Sequence, residues 1–188
     1  MINFKTYNFK TMKKVLRLTT AVIGLLFLQS CGTTQSYLDK TTLTQVIEQN
    51  EFTFMAQRAN PLDTSANTIM NSIPGGFANR VMNLDYGYTI VFKKDEVSVN
   101  LPYFGRAYTA PIDPRKTGFD FDSKDFNIKK SQGKKGSTVL NISFNDQNTV
   151  RKMIMEVFQN GKAYVSVESN DKQPISYDGY IMKNEVKN

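Results

Sequence analysis

The chain has no histidine, and its 188 residues include a single cysteine, Cys31. A lone cysteine cannot form an internal disulfide. Without imidazole there is no Ser–His or Cys–His nucleophile pair and no thiolate or imidazole cage for a metal. Any catalysis within this chain would fall to carboxylates, Lys, Tyr, Ser or Thr. Internal repeats and low-complexity segments are also missing. No apolar run approaches the roughly 20 residues needed to cross a bilayer as a helix.

The longest apolar run has a different character. Leu18 to Leu28 is uncharged and eleven residues long, and Lys10, Lys13, Lys14 and Arg17 precede it. A basic n-region, a short apolar core and small residues before a cut form an export signal. Leu28-Gln29-Ser30-Cys31 resembles the lipobox of bacterial lipoproteins, although Gln29 stands where a small residue is usual. The alternative is a short buried helix with an ordinary core cysteine. The resemblance implies that residues 1–30 are a signal peptide, that Cys31 becomes an acylated N-terminus, and that 31–40 is a lipidated tether. Met12 is a second candidate start, since residues 12–31 form a complete signal alone. Two or more acyl chains anchor a protein stably, whereas one binds marginally.

Placing the cut at Cys31 changes the charge. The whole chain has 24 Lys and Arg against 17 Asp and Glu, but five of the basic residues precede Cys31. The rest carries 19 against 17, a net of +2. The pI of 9.4 is therefore no argument for nucleic acid binding. Lys129, Lys130, Lys134 and Lys135 remain clustered around Gly133 and Gly136. They read as a solvated hairpin loop, with a polyanion contact as the alternative.

Residues 41–188 are expected to form one β-rich domain. Leu43, Val46 and Ile47 predict a short helix over Thr41–Asn50, capped by Thr41 or Thr42. Alternation then predicts strands over Glu51–Arg58, Arg80–Phe92, Glu96–Leu101, Ala163–Glu168 and Ile175–Met182, and around Phe119, Phe126 and Leu140–Phe144. A turn is expected near Ser123-Lys124. Asn160-Gly161 favours a two-residue type I′ turn. Residues 150–158 fit either its first arm or an amphipathic helix; the strand is preferred because the turn needs a partner. The sum is a mainly β fold, an antiparallel sandwich or barrel of about eight to ten strands with one short N-terminal helix.

The phrases FTFMAQRANP (52–61), NLPYFGRAYTAP (100–111), GFDFDSKDFNI (118–128) and ISYDGYI (175–181) resemble a family of small uncharacterised lipoproteins common in Bacteroides and relatives, classed as a domain of unknown function. The resemblance implies an envelope location and a lipid anchor, and brings no catalytic residue or ligand.

Three sets of residues are candidates for chemistry. Tyr103, Phe104, Arg106 and Tyr108 could form an aromatic rim that stacks on sugars or grips an anion. The preferred reading, since aromatics usually serve the core, is that Tyr103 and Phe104 plug the end of the β-core while Arg106 pairs with a carboxylate. Asp120, Asp122 and Asp125 have alternating spacing but lack the glycine and distal glutamate of a calcium loop, so no metal is assigned. Glu156, opposite Val165 if the turn has two residues, would sit in an apolar stripe with a perturbed carboxyl, unless that face is solvent-side or the group is paired.

The resulting expectation is a non-catalytic, lipid-anchored module without a cofactor. Its partners would be the membrane, through Cys31, and a small ligand or an envelope protein, and no nucleic acid. The expected location is the bacterial cell envelope, on the outer membrane facing the periplasm, because no acidic run follows Cys31. The alternative is a glycan hydrolase using two of Asp120, Asp122, Asp125 and Glu156, which requires a pair about 5–10 Å apart in a cleft.

Overall fold

The apolar–polar alternation becomes a wall with one face turned inward. A computed structural model describes residues 37–62, 82–108 and 117–185, all within the unit Ser36–Asn188. A helix, α1 (Lys40–Gln49), is followed by β1 (Phe52–Pro61), β2 (Thr89–Lys93), β3 (Glu96–Leu101), β4 (Phe119–Ser123) and β5 (Phe126–Gln132). Then come β6 (Thr138–Phe144), β7 (Val150–Val157), β8 (Lys162–Ser169) and β9 (Ile175–Met182). The nine strands form one sheet in the order β4-β3-β2-β1-β9-β8-β7-β6-β5, antiparallel at every step.

That order dictates closure. Laid flat, nine strands would hold β4 and β5 roughly 38 Å apart, at about 4.8 Å per gap. Yet only Lys124 and Asp125 join them, a link that spans at most about 11 Å. The sheet must curl until its edges meet, and it forms a nearly closed barrel. Eight antiparallel steps separate β4 from β5, so the two edge strands run in the same direction. The expected turn near Ser123-Lys124 is therefore a bend in one continuing path, whose first half pairs with β3 and whose second half pairs with β6. Asp146 holds the bend: its carboxylate accepts from Ser123 Oγ at 2.6 Å, Lys124 N at 2.8 Å and Asp125 N at 3.2 Å. These bonds keep its carboxyl at about 2, below the usual 3.8, with the Ser123 bond contributing most.

Large side chains fill the barrel interior. Phe52, Phe54, Ile90, Phe92, Leu140, Ile142, Met153, Met155, Ile175 and Tyr177 are fully buried. Phe52 stacks on Phe92 at 4.5 Å, and Phe121 of β4 meets Phe144 of β6 edge-on at 5.3 Å across the seam. Gly179 of β9 lies under the Phe54 ring, where a side chain would not fit.

Leu43, Val46 and Ile47 of α1 join this core at the end where β1 begins. The helix cap is Asp39 rather than Thr41 or Thr42: Asp39 Oδ1 accepts from Thr42 N at 2.8 Å. At the C-terminus Asn50 adopts the left-handed conformation and its N–H reaches back to the last carbonyls, which ends the helix before β1.

Three other expectations change. β1 runs on to Pro61, because a bulge between Ala56 and Arg58 restores burial of Ala59 and Pro61. Of the expected Arg80–Phe92 strand, Thr89–Phe92 fall within β2 and Asn83 makes an isolated bridge to Arg58; Arg80 and Val81 lie outside the described residues. At Asn160-Gly161, Phe158 N donates to Lys162 O and Gly161 N to Phe158 O, with Gly161 at φ +79°. This is a three-residue loop closed by a glycine bulge, not a two-residue type I′ turn. Residues 150–157 are strand.

Candidate functional site

The extra loop residue moves Glu156 to the other face. Observed partners are Glu156–Tyr164, Met155–Val165 and Met153–Val167. A one-residue slip exchanges the faces of a strand. The inward stripe is Met153, Met155 and Val157, and Glu156 is half-buried on the outer wall, where its Oε1 accepts from Ser137 Oγ at 2.6 Å. The apolar stripe expected around Glu156 is thus corrected: its cross-strand neighbour is Tyr164, not Val165.

Tyr103 and Phe104 pack against the core at the end of the barrel opposite α1. Tyr103 meets Phe119 edge-on at 5.6 Å, and its Oη donates to Arg106 O at 2.8 Å. Tyr108 N donates to Asp171 O and Gln173 N to Arg106 O, which lash residues 106–108 to 171–173. Tyr177 Oη, inside the barrel, donates to Pro102 O at 2.6 Å. Burial, and then nearby Tyr103, push that phenol far above its ordinary range. Arg106 is exposed, and Tyr108 is 62% exposed. The four residues therefore divide: Tyr103 and Phe104 belong to the plug, Arg106 and Tyr108 to the surface.

Between them lies a residue that sequence reading missed. Lys172 is only 7% exposed. Its Nζ sits 2.7 Å from Asp171 and lies over the rings of Tyr103 (5.9 Å) and Phe119 (5.5 Å). Burial opposes ionisation of Asp171, but hydrogen bonds from Lys172 and Ser169 and the Lys172 charge outweigh it, so the carboxyl is lowered. Nothing in the polar run Asn170-Asp171-Lys172-Gln173 signals a buried cation, because the aromatic rings that cover it lie far away in sequence.

Asp120, Asp122 and Asp125 are all exposed, and Glu156 of β7 is bonded to Ser137, which immediately precedes the neighbouring β6. None of the four lines a cavity described for this chain. Among the described residues, no group of three His, Cys, Asp or Glu could hold a metal. Cys31 lies outside the described residues.

A groove that no motif marked runs along the outer wall. It has a volume of about 650 Å³ and is lined by outward residues of four strands, including Met55, Val91, Ser98 and Met182, with Tyr86 above it. Asn184 fixes one side: its Oδ1 accepts from Thr53 Oγ1 and its Nδ2 donates to Phe92 O, each at 2.8 Å. Tyr86 is 71% exposed, with its Oη 3.4 Å from Glu185. The sequence signal, visible only afterwards, is that Met55, Val91 and Met182 are apolar at outward positions where the alternation calls for polar residues.

A family profile described as "Domain of unknown function (DUF4251)" matches residues 35–181. Among solved structures, a crystal structure of a DUF4251 family protein from Bacteroides eggerthii is similar: 10% identity, 79% of this chain and 89% of that chain covered, and a TM-score of 0.48. No curated protein sequence matches.

Proposed function

From the premise that the chain belongs to the family described as a domain of unknown function (DUF4251), we propose that it is a lipid-anchored envelope protein whose barrel binds rather than catalyses. The binding site is the outer groove between β3, β2, β1 and β9. One observation carries this reading. Among the described residues the barrel interior is packed with Phe52, Phe54, Phe92, Met153, Met155 and Tyr177, so a ligand has no lumen to enter, while the outer wall keeps a groove of ligand size. The groove's mixed lining of Met, Val, Thr and Tyr suits a small, mainly apolar ligand. The anchor rests on the order of basic residues, apolar run and Leu28–Cys31. The lack of an acidic run after Cys31 favours the periplasmic side of the outer membrane. Among the described residues, none of Asp120, Asp122, Asp125 and Glu156 lines a described cavity, which speaks against the hydrolase alternative.

The groove reading is tested with 1-anilinonaphthalene-8-sulfonate as an apolar probe. The native protein is expected to bind one dye with enhanced emission. Ser98→Trp, which fills the groove from the outer face of β3, should remove that signal while the far-UV spectrum is retained. Absence of binding to the native protein, or equal binding to the variant, sinks the proposal.

A further inference from the structure

We propose that the α1 end of the barrel, centred on Phe158 with Lys135 and Lys162 beside it, docks on an anionic lipid surface. This inference rests on the lipid-anchor reading. It adds an orientation and a second contact that the anchor alone does not supply.

The chain enters the described domain at Tyr37, beside the β7–β8 loop. Tyr37 N donates to Asn160 O at 3.2 Å, and the Tyr37 ring stacks on Tyr180 at 4.2 Å. The β7–β8 loop therefore touches the first described residue. Only six residue steps separate Cys31 from Tyr37, which reach about 22 Å at full extension and roughly 14 Å as a flexible coil. Acyl chains on Cys31 would hold this end of the barrel near the bilayer.

The same loop carries the chemistry of an interfacial contact. Phe158 is 40% exposed at its base. Lys135, Gln159 and Lys162 line a shallow depression with it, and Gln159 Nε2 bonds Lys135 O at 3.2 Å, so the two loops move as one surface. Lys134 and Lys40 are exposed at this end as well. Of the acidic groups at this end, Asp39 caps α1, Glu48 lies 3.6 Å from Lys130, Glu156 accepts from Ser137 and Glu185 from Tyr86, while Glu51, just past the C-terminus of α1, is exposed. Asp95, in the β2–β3 turn, lies half-way round the rim in the strand order. An exposed aromatic ring among lysines suits a headgroup boundary, where the ring enters the acyl edge and the ammonium groups remain among phosphates.

The chain contains no tryptophan, so Phe158→Trp introduces a single fluorophore at the proposed contact. Tyr108→Trp places one at the opposite end. The acylated full-length variants are reconstituted on phosphatidylcholine vesicles containing phosphatidylglycerol. Blue-shifted emission and quenching by brominated acyl chains are expected for Phe158→Trp and not for Tyr108→Trp. Adding Lys135→Gln and Lys162→Gln should lower the docked-to-undocked ratio roughly 25-fold, at about one headgroup-scale interaction per lysine. Protein that floats with the vesicles while both fluorophores report water overturns the docking and leaves the anchor standing. Protein that does not float overturns the anchor, and the docking with it. A docking signal unchanged by the lysine substitutions overturns the electrostatic contact.

Discussion

Gly179→Ala adds one carbon where the barrel has no room for it. An ideal Cβ at Gly179 would lie 2.1 Å from Met55 O and 2.8 Å from two carbons of the Phe54 ring. The Met55 carbonyl cannot retreat, because β1 is held between β2 and β9. Phe54 is fully buried and cannot swing into solvent. One excess methyl in a packed core costs about 1–3 kcal/mol, and forcing a ring off its rotamer adds about 0.5–1.5 kcal/mol. Because backbone and ring are both struck, the expected loss is about 3 kcal/mol, the upper end of the overpacking range. For a domain of this size that lowers Tm by about 6–12 °C. Circular dichroism melts measure it, and guanidinium unfolding should show a lower midpoint at an unchanged slope. Phe54→Leu in the Gly179→Ala background should return part of the loss by vacating the ring's place. A Tm within about 2 °C of the native value would show that β9 shifts freely against β1, and the close-packing argument would be wrong.

Two further predictions concern charge. Asp146 has a depressed carboxyl, so its contribution is fully present above the ordinary value of 3.8 and is lost as pH falls from there toward about 2. Asp146→Asn should flatten the stability profile in that window and nowhere above it, as read by denaturant titrations at stepped pH; an unchanged acid limb would refute the clamp. Lys172→Ala removes a cation from between Asp171 and two rings and should destabilise by about 2–3 kcal/mol in urea unfolding, slightly below the range for fully buried pairs because Asp171 is partly exposed. Lys172→Met combined with Asp171→Asn keeps the packing without either charge and should lie within about 1 kcal/mol of native; equal damage in both variants would mean that packing alone matters.

Strands that bury one face were legible in the sequence. β3 and β9 begin and end where alternation places them, because inward residues such as Val97, Val99 and Leu101 alternate with outward polar ones. β7 was ambiguous, since Val150, Met153, Ile154 and Val157 fit a helical period as well as a strand. Its hydrogen-bonded neighbours β6 and β8 decide the matter, and no local window contains them. Glu156 was misplaced for a smaller reason: Asn160-Gly161 allows two hairpin loops that differ by one residue, and one residue reverses the faces. The same-direction bend at Lys124-Asp125 depends on Asp146, some twenty residues away, and so looks locally like a turn. The core role of Tyr103 was readable in the sequence, whereas the outer groove draws one to three residues from each of four strands and has no linear signature.

The pairing of β1 with β9 also governs how the chain can fold. Ala56 sits opposite Gly179, and Thr53 opposite Met182. The pairing in the middle of the sheet therefore joins nearly the first and last strands of the domain. Loop-closure entropy must be overcome before that contact forms, which places the domain among slow folders governed by non-local topology, in the millisecond-to-second range. Every hairpin from β6 to β9 can form as the chain emerges. β1, however, can pair with β2 on one edge but waits with its other edge open until β9 arrives. A chain shortened before β9 would keep two unpaired strand edges and should aggregate rather than fold.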